Sequence, residues 1–208
     1  MTDYNDYLIA LSPSENMVDQ LKRFKYFSFE KIGEYDGYDS KPDIIIQQWP
    51  NRKAQWVEPL LPKLERDLKT LPSIVLDING FDLLNQDNQP GIYAKIENTA
   101  ASMLWFNKLG DFFNTSHYIP HIPIASNLSP DAFQELWPCF KHTNWNARIV
   151  IDKLSILKRS TIGYNRNFKL FKQIPFNPNL NFFDYTDAQL SPSAIALNAA
   201  ALQQISLF

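Results

Sequence analysis

Apolar residues recur along this chain with two alternating periods, and the alternation sets out an α+β order. Tyr7-Leu8-Ile9-Ala10-Leu11 is a short apolar run closed by Ser12-Pro13-Ser14, which predicts a buried strand ending in a turn that opens a helix. Met17, Leu21 and Phe24 then recur at helical spacing. Beyond a polar stretch around Gly33 to Ser40, Pro42-Asp43-Ile44-Ile45-Ile46 has the β-branched density of a strand. Trp56, Leu60, Leu61, Leu64, Leu68 and Leu71 form an apolar stripe of helical period. Two strands follow, Ser73 to Ile78 and Gly91 to Ile96, separated by a polar loop rich in Asn, Gln and Asp.

The later part of the chain repeats this order. A helix is predicted from Thr99 to Phe113, with Met103, Phe106, Leu109 or Gly110, and Phe113 turned inward. The short apolar strand His121-Ile122-Pro123-Ile124-Ala125 comes next. Ser129-Pro130-Asp131 reads as a helix start: a hydroxyl cap, proline at the first helical position, and a carboxylate near the positive end of the dipole. Phe133, Leu136, Trp137 and Phe140 make its buried side, with Pro138 inside it. Arg148 to Leu157 alternates as one strand, and Phe168 to Ile174 offers a return strand. Overlaid, the halves each place a strand before a helix and then a strand pair. Pro42-Asp43-Ile44-Ile45-Ile46 matches Pro120-His121-Ile122-Pro123-Ile124 at an offset of 78 residues.

With 208 residues and 45% hydrophobic content, the chain can bury a sizeable core. The single Cys139 excludes an internal disulfide and any Cys-x-x-Cys metal site, and is expected to be a buried, inert thiol. The polar, acidic Met1 to Asp6 is no signal peptide and no apolar run is long enough to span a membrane, so a cytoplasmic protein is expected. No cofactor is expected: the six glycines are isolated, leaving no phosphate loop, and His117 and His121, though four apart, are kept from a helical zinc-site spacing by Pro120 and the strand-like residues after it.

Charge changes the picture locally. Residues 1–140 carry 12 basic and 19 acidic side chains, whereas residues 141–173 carry eight basic residues against Asp152 alone. That stripe suits either attraction of phosphate or protection of exposed sheet edges. All three histidines, His117, His121 and His142, lie beyond residue 116.

The arrangement resembles the 2H phosphoesterase superfamily, which includes the 2'-5' RNA ligases and cyclic phosphodiesterases. The resemblance rests on Lys41-Pro42-Asp43-Ile44-Ile45-Ile46, Leu76 to Phe81 leading to Ile92-Tyr93-Ala94-Lys95-Ile96, Ile119 to Ala125, and Leu154 to Arg159. It implies two pseudo-symmetric lobes of mixed antiparallel sheet, helices on the outer faces, and a groove between lobes, all within residues 1–176 as a single unit. It also implies two facing His-x-Thr/Ser motifs, in which one imidazole takes a proton from the attacking oxygen and the other gives one to the leaving oxygen. The hydroxyls bond the phosphoryl oxygens.

This chain keeps only His121 of the four motif residues; Asp43 stands for the first histidine, Ile45 and Pro123 for the hydroxyls. The expected function is therefore binding of a nucleotide or RNA phosphate at a degenerate site without efficient hydrolysis. An active cyclic phosphodiesterase using His121 with Asp43 and a non-catalytic interaction scaffold are the competing readings, and the sequence leaves enzymatic activity open. His121 serves either as an anion ligand or as a histidine satisfied by backbone or water. His117, Tyr93, Lys95, Lys158 and Arg159 are the further candidates for anion contact, and His142 is expected to be solvated at a helix end. Residues 177–208 lie past the resemblance as an extension whose Ser191-Pro192 opens a short helix with Ile195, Ala199, Leu202 and Ile205 on one face. That face packs on its own domain or forms a homodimer.

Overall fold

The computed structural model describes residues 4–86, 89–115, 119–162 and 167–184. Its elements run β1 (Tyr4–Leu11), α1 (Glu15–Ile32), β2 (Ile44–Lys53), α2 (Ala54–Val57), α3 (Leu61–Leu68), β3 (Ile74–Gln86), β4 (Gln89–Ile96), α4 (Ala100–Phe113), β5 (His121–Ala125), α5 (Pro130–Phe140), β6 (Asn146–Ile151), β7 (Lys153–Ser160) and β8 (Lys169–Pro175). Two four-stranded sheets result, ordered β2-β1-β7-β8 and β5-β4-β3-β6, with every pairing antiparallel. The α+β architecture of two lobes is as the sequence predicts.

Sequence halves and lobes do not coincide. β1-α1-β2 and β4-α4-β5 are topological equivalents, each a central strand, a helix and an edge strand. The third strand of each sheet comes from elsewhere in the chain: β3 pairs with β4, and β7 returns to pair with β1. Arg148 to Leu157, expected as one strand, is therefore two. β6 ends at Ile151 in one sheet, and β7 begins at Lys153 in the other. The corner at Asp152 is fixed by its carbonyl, which accepts from the Phe176 amide at 2.9 Å. The change from alternating burial in β6 to the continuous buried run Leu154-Ser155-Ile156 in β7 marks an edge strand passing into a central one.

The third strand also runs past Ile78 to Gln86, through residues expected to be loop. Gly80, at φ +67°, makes a bulge there, and the register shifts between Ile78 and Phe81. The extra residue breaks the alternation that sequence reading depends on.

Helices cover one face of each sheet. Behind the β5-containing sheet, Phe24 of α1 meets Phe81 of β3 edge-on at 4.8 Å, and Phe81 meets Phe140 of α5 at the same separation. Behind the other sheet, Glu65 of α3 pairs with Lys172 of β8, and Trp49 of β2 lies 6.2 Å from Phe113 of α4. α4 starts on a reciprocal cap: Ser102 N donates to the Thr99 hydroxyl at 3.0 Å, and Thr99 N donates to that of Ser102 at 2.9 Å. Its buried face is Ser102, Trp105, Phe106, Leu109, Gly110 and Phe113, whereas Met103, expected inward, is exposed. A helix carrying Met103-Leu104-Trp105-Phe106 in succession is apolar around its whole girth there, so periodicity cannot define its inner side. The expected stripe from Trp56 to Leu71 is likewise interrupted. Pro59 and Pro62 break it into α2, one 3-10 turn (Glu58–Leu60) and α3, leaving Leu61, Leu64 and Leu68 buried and Trp56 and Leu60 exposed. Cys139, expected to be buried, is exposed on α5.

Candidate phosphate-binding face

β2 and β5 are edge strands of their sheets and touch each other, so the seam between lobes carries both motif segments. On the β5 side, His121 stands directly across from Lys95 of β4, and Pro123 across from Tyr93. The His121 and Tyr93 rings meet edge-on at 5.4 Å. His121 Nδ1 lies 3.0 Å from the Ile119 carbonyl, an acceptor only, so that nitrogen carries its proton and Nε2 is the atom offered outward. Lys95 is paired with Asp82 at 3.3 Å, and Asp82 is also the cross-strand neighbour of Tyr93. Partial burial, followed by the Asp82 charge, pushes the Tyr93 phenol up, so it stays a hydrogen-bond donor.

Tyr93, Lys95, His121 and Pro123 thus share the helix-free face, while Ala94 and Ile122 point into the core. The hollow among Gly91, Tyr93, His121, Pro123 and Asn127 measures about 20 Å³, room for about one water, so a larger ligand would lie on the open face.

The β2 side differs. Asp43 is 3% exposed and precedes Ile44, so it shares a face with Ile45, whose neighbour on β1 is Ala10 and beyond that Ser155 of β7. The Ser12 hydroxyl donates to that of Ser155 at 3.4 Å. Burial pushes the Asp43 carboxyl up, against the pull of Lys41 at 3.6 Å, Ser12 and Lys25. Its Oδ1 has no hydrogen-bond partner among the described residues. Lys25 of α1 belongs to the same cluster: burial lowers it to about 8, although Asp39, Asp43 and Asp36 oppose the shift. Carboxyl and ammonium are each disfavoured in the charged form by the same removal from water.

The basic stripe does not form one surface. Arg148 on β6 pairs with Asp77 at 2.8 Å, Lys172 with Glu65, and Lys153 with Asp152 at 3.9 Å. Arg159 shares the Ile45 face of its sheet, where its Nε donates to Asp6 at 2.9 Å and its guanidinium covers Phe168. Lys158 points to the opposite, helix-covered side, over Phe171 at 5.2 Å and Tyr7 at 5.9 Å. His142 is exposed just past α5, and His117 lies outside the described residues. Asp82 and Asp6, which hold the cations of this face, went unnoticed in the sequence because ordinary acidic residues carry no signal of their cross-strand partners.

No family model and no curated protein matches the sequence. Solved structures do match in shape. TT0787 of Thermus thermophilus superposes with a TM-score of 0.59 at 10% identity, covering 84% of this chain and 100% of that one. Apo LigT of E. coli gives 0.57 at 12% identity, covering 84% and 98%. A structure described as a phosphoesterase gives 0.55 at 9% identity, covering 83% and 98%. The chain shares the fold of these proteins, the fold that the resemblance implies. Within it, the two His-x-Thr/Ser segments expected from the resemblance are Asp43-Ile44-Ile45 and His121-Ile122-Pro123. The 2H arrangement of hydroxyls flanking a phosphoryl group has no side-chain donor at either Ile45 or Pro123. What the face can do chemically is donate to an anion from a phenol and an ammonium on two adjacent strands, joined by His121 Nε2 when the ring is in its imidazolium form.

Proposed function

We propose that this chain binds the phosphate of a nucleotide or RNA end on the helix-free face around His121, Tyr93 and Lys95, without efficient hydrolysis. The observation that carries the reading is the state of Asp43. The group standing where the first imidazole is expected is 3% exposed, with its carboxyl pushed up by burial. A general base must come within hydrogen-bond reach of the proton it takes, and a carboxyl enclosed to this degree is poorly placed to meet a substrate. Were it ionised, it would repel a phosphate 4 Å away by about 1 to 4 kcal/mol. Losing a general acid or base costs ~10² to 10⁴ in rate, and losing an oxyanion donor ~10² to 10³.

Binding asks for less. The Lys95–Asp82 pair is half-exposed, and such pairs are worth about 0 to 1 kcal/mol, so an incoming phosphate can recruit the lysine at little cost. LigT of E. coli, whose shape this chain shares, has been solved with 3'-AMP, with phosphate, with NADP+ and with ATP. These ligands make nucleotides the first class to test here.

The experiment is titration of the full chain and of His121→Ala with 3'-AMP and a 2',3'-cyclic nucleotide, alongside single-turnover hydrolysis of the latter. Binding that weakens about tenfold in His121→Ala, with no turnover in either protein, is the expected result. Turnover that disappears in the variant would establish an active phosphodiesterase instead, with Asp43 as the next residue to replace. Equal, negligible binding by both folded proteins would leave the scaffold reading.

A further inference from the structure

A cleft of about 500 Å³ opens away from the candidate phosphate-binding face, between the α2–α3 segment and the C-terminal end of α4. Its walls are Trp49, Trp56, Leu60, Leu64, Phe112 and Phe113. Trp56 and Leu60 are 56% and 51% exposed and stand on adjacent turns at the cleft, where they form a paired apolar patch. The charges at its edge balance, Arg52 and Lys63 against Asp67 and Asp111, so the cleft does not select an anion or a cation. An uncharged apolar segment matches it best.

The chain contains such a segment. Residues 191–208 carry no Asp, Glu, Lys or Arg, and Ile195, Ala199, Leu202 and Ile205 fall on one side of a helical repeat that continues into Leu207 and Phe208. The described chain ends beside the same pair of helices. Asn177 is tied to the residues just after α3, its N–H donating to the Leu71 carbonyl at 2.9 Å and its side chain to that of Lys69 at 3.0 Å. Phe176 packs edge-on against Trp105 of α4, and Phe182 is buried. α3 is eight residues long, about 12 Å, and its Leu64 and Asp67 line the cleft. Residues 185–190 reach about 20 Å when extended, enough to bring the apolar segment back along α3.

We infer that the cleft bounded by Trp49, Trp56 and Phe113 is the docking site of the chain's own C-terminal segment, residues 191–208, seated in cis. Placed there, its apolar side covers the exposed faces of Trp56 and Leu60, and the extension becomes part of the α3–α4 layer. This assignment is independent of the phosphate-binding reading, because no residue of the cleft belongs to that face.

The test uses the full chain in a Cys139→Ser background. Leu60→Cys is paired in turn with Ala199→Cys, Leu202→Cys and Ile205→Cys, then oxidised and run without reductant. Docking in cis predicts an intramolecular crosslink for at least one pair, migrating as a compacted monomer. It also predicts that Leu202→Asp with Ile205→Asp shifts tryptophan emission to the red and raises acrylamide quenching, and that these changes shrink when Trp56→Phe is added. Crosslinked dimers in place of monomers would assign the cleft to a second copy and overturn the inference. Absence of any crosslink together with unchanged emission would overturn it as well.

Discussion

Lys25→Met should stabilise this protein at neutral pH and abolish its gain of stability in mild alkali. Lys25 lies on α1 at 3% exposure, its ammonium donating to the Ser40 hydroxyl at 2.9 Å, while that hydroxyl donates onward to the Gly37 carbonyl at 2.7 Å. Burial lowers its pKa to about 8, with Asp39, Asp43 and Asp36 pulling the other way. An unfolded lysine titrates near 10.4, so holding the folded one charged at pH 7 costs about 3 kcal/mol. As pH rises from about 8 toward 10, the folded chain releases a proton that the unfolded chain still binds. Stability therefore rises with pH through this window, by about 2 kcal/mol between pH 7.5 and 9.5.

Tyr35 limits the window from above. Burial pushes its phenol up to about 12, so the folded chain keeps a proton that unfolded tyrosine loses near pH 10, and stability falls beyond that point. Urea unfolding followed by tryptophan emission at pH 7.5, 8.5 and 9.5 measures the effect. Methionine removes the charge at similar volume and loses one hydrogen bond worth about 1 kcal/mol, so Lys25→Met should gain about 1 to 2 kcal/mol at pH 7.5 and show no rise. A wild-type curve flat across the window, or a variant less stable at pH 7.5, would overturn this account of Lys25.

The remaining expectations concern stability at three other positions. Asp43→Asn should raise the melting temperature at pH 7, because burial already holds the carboxyl toward its neutral form. The wild type should gain on the variant as pH falls toward the ordinary carboxylate range, and calorimetry at pH 7 and pH 5 reads both signs. Gly110→Ala places a Cβ 2.6 Å from the Thr115 carbonyl oxygen, a backbone atom that cannot swing away, and should cost about 1 to 3 kcal/mol in chemical denaturation. Trp105→Phe removes the indole N–H that donates to the Pro72 carbonyl at 3.0 Å and leaves a void beside Phe176, so a loss of about 2 to 4 kcal/mol is expected; a variant as stable as wild type would show that the contact is replaceable.

How much of this was legible in the sequence follows from how local each signal is. The cap at Ser129 was readable because a cap is satisfied within three residues, here by Ala132 N. The strands Tyr7 to Leu11 and His121 to Ala125 were readable because their apolar runs are short and bounded. The corner at Asp152 was not, since the periodicity of β6 and β7 says nothing about which sheet each joins. The bulge at Gly80 hid the second half of β3 by resetting the alternation. Tyr93, Lys95 and His121 come together because β4 pairs with β5, and the resemblance had placed both strands beside the groove. Lys158 and Arg159 looked equivalent as neighbours, yet adjacent strand residues face opposite sides, and only Arg159 shares a face with Ile45.

The two equivalent positions on the seam have opposite physical environments, and this asymmetry bears on function more than the count of missing motif residues does. Around Asp43 the neighbours are Ser12 and Lys25, at 7% and 3% exposure, with Ser155 bonded behind Ser12, so the carboxyl is enclosed and only the half-exposed Lys41, 3.6 Å from Oδ1, links it to solvent. Around His121 the neighbours are Tyr93, half-buried, and Lys95, exposed, so the imidazole faces solvent with donors on either side. An acid-base pair needs both partners to reach the same substrate, whereas an anion site needs convergent donors on one side only. The β2 position is built as a closed polar cluster within its lobe, and the β5 position as an open donor surface. Reintroducing a histidine by Asp43→His would therefore bury an imidazole beside Lys25 rather than place it on the open face. Such a variant is expected to lose stability without gaining turnover in the single-turnover assay, and appearance of turnover would show that the enclosure of Asp43 opens to substrate.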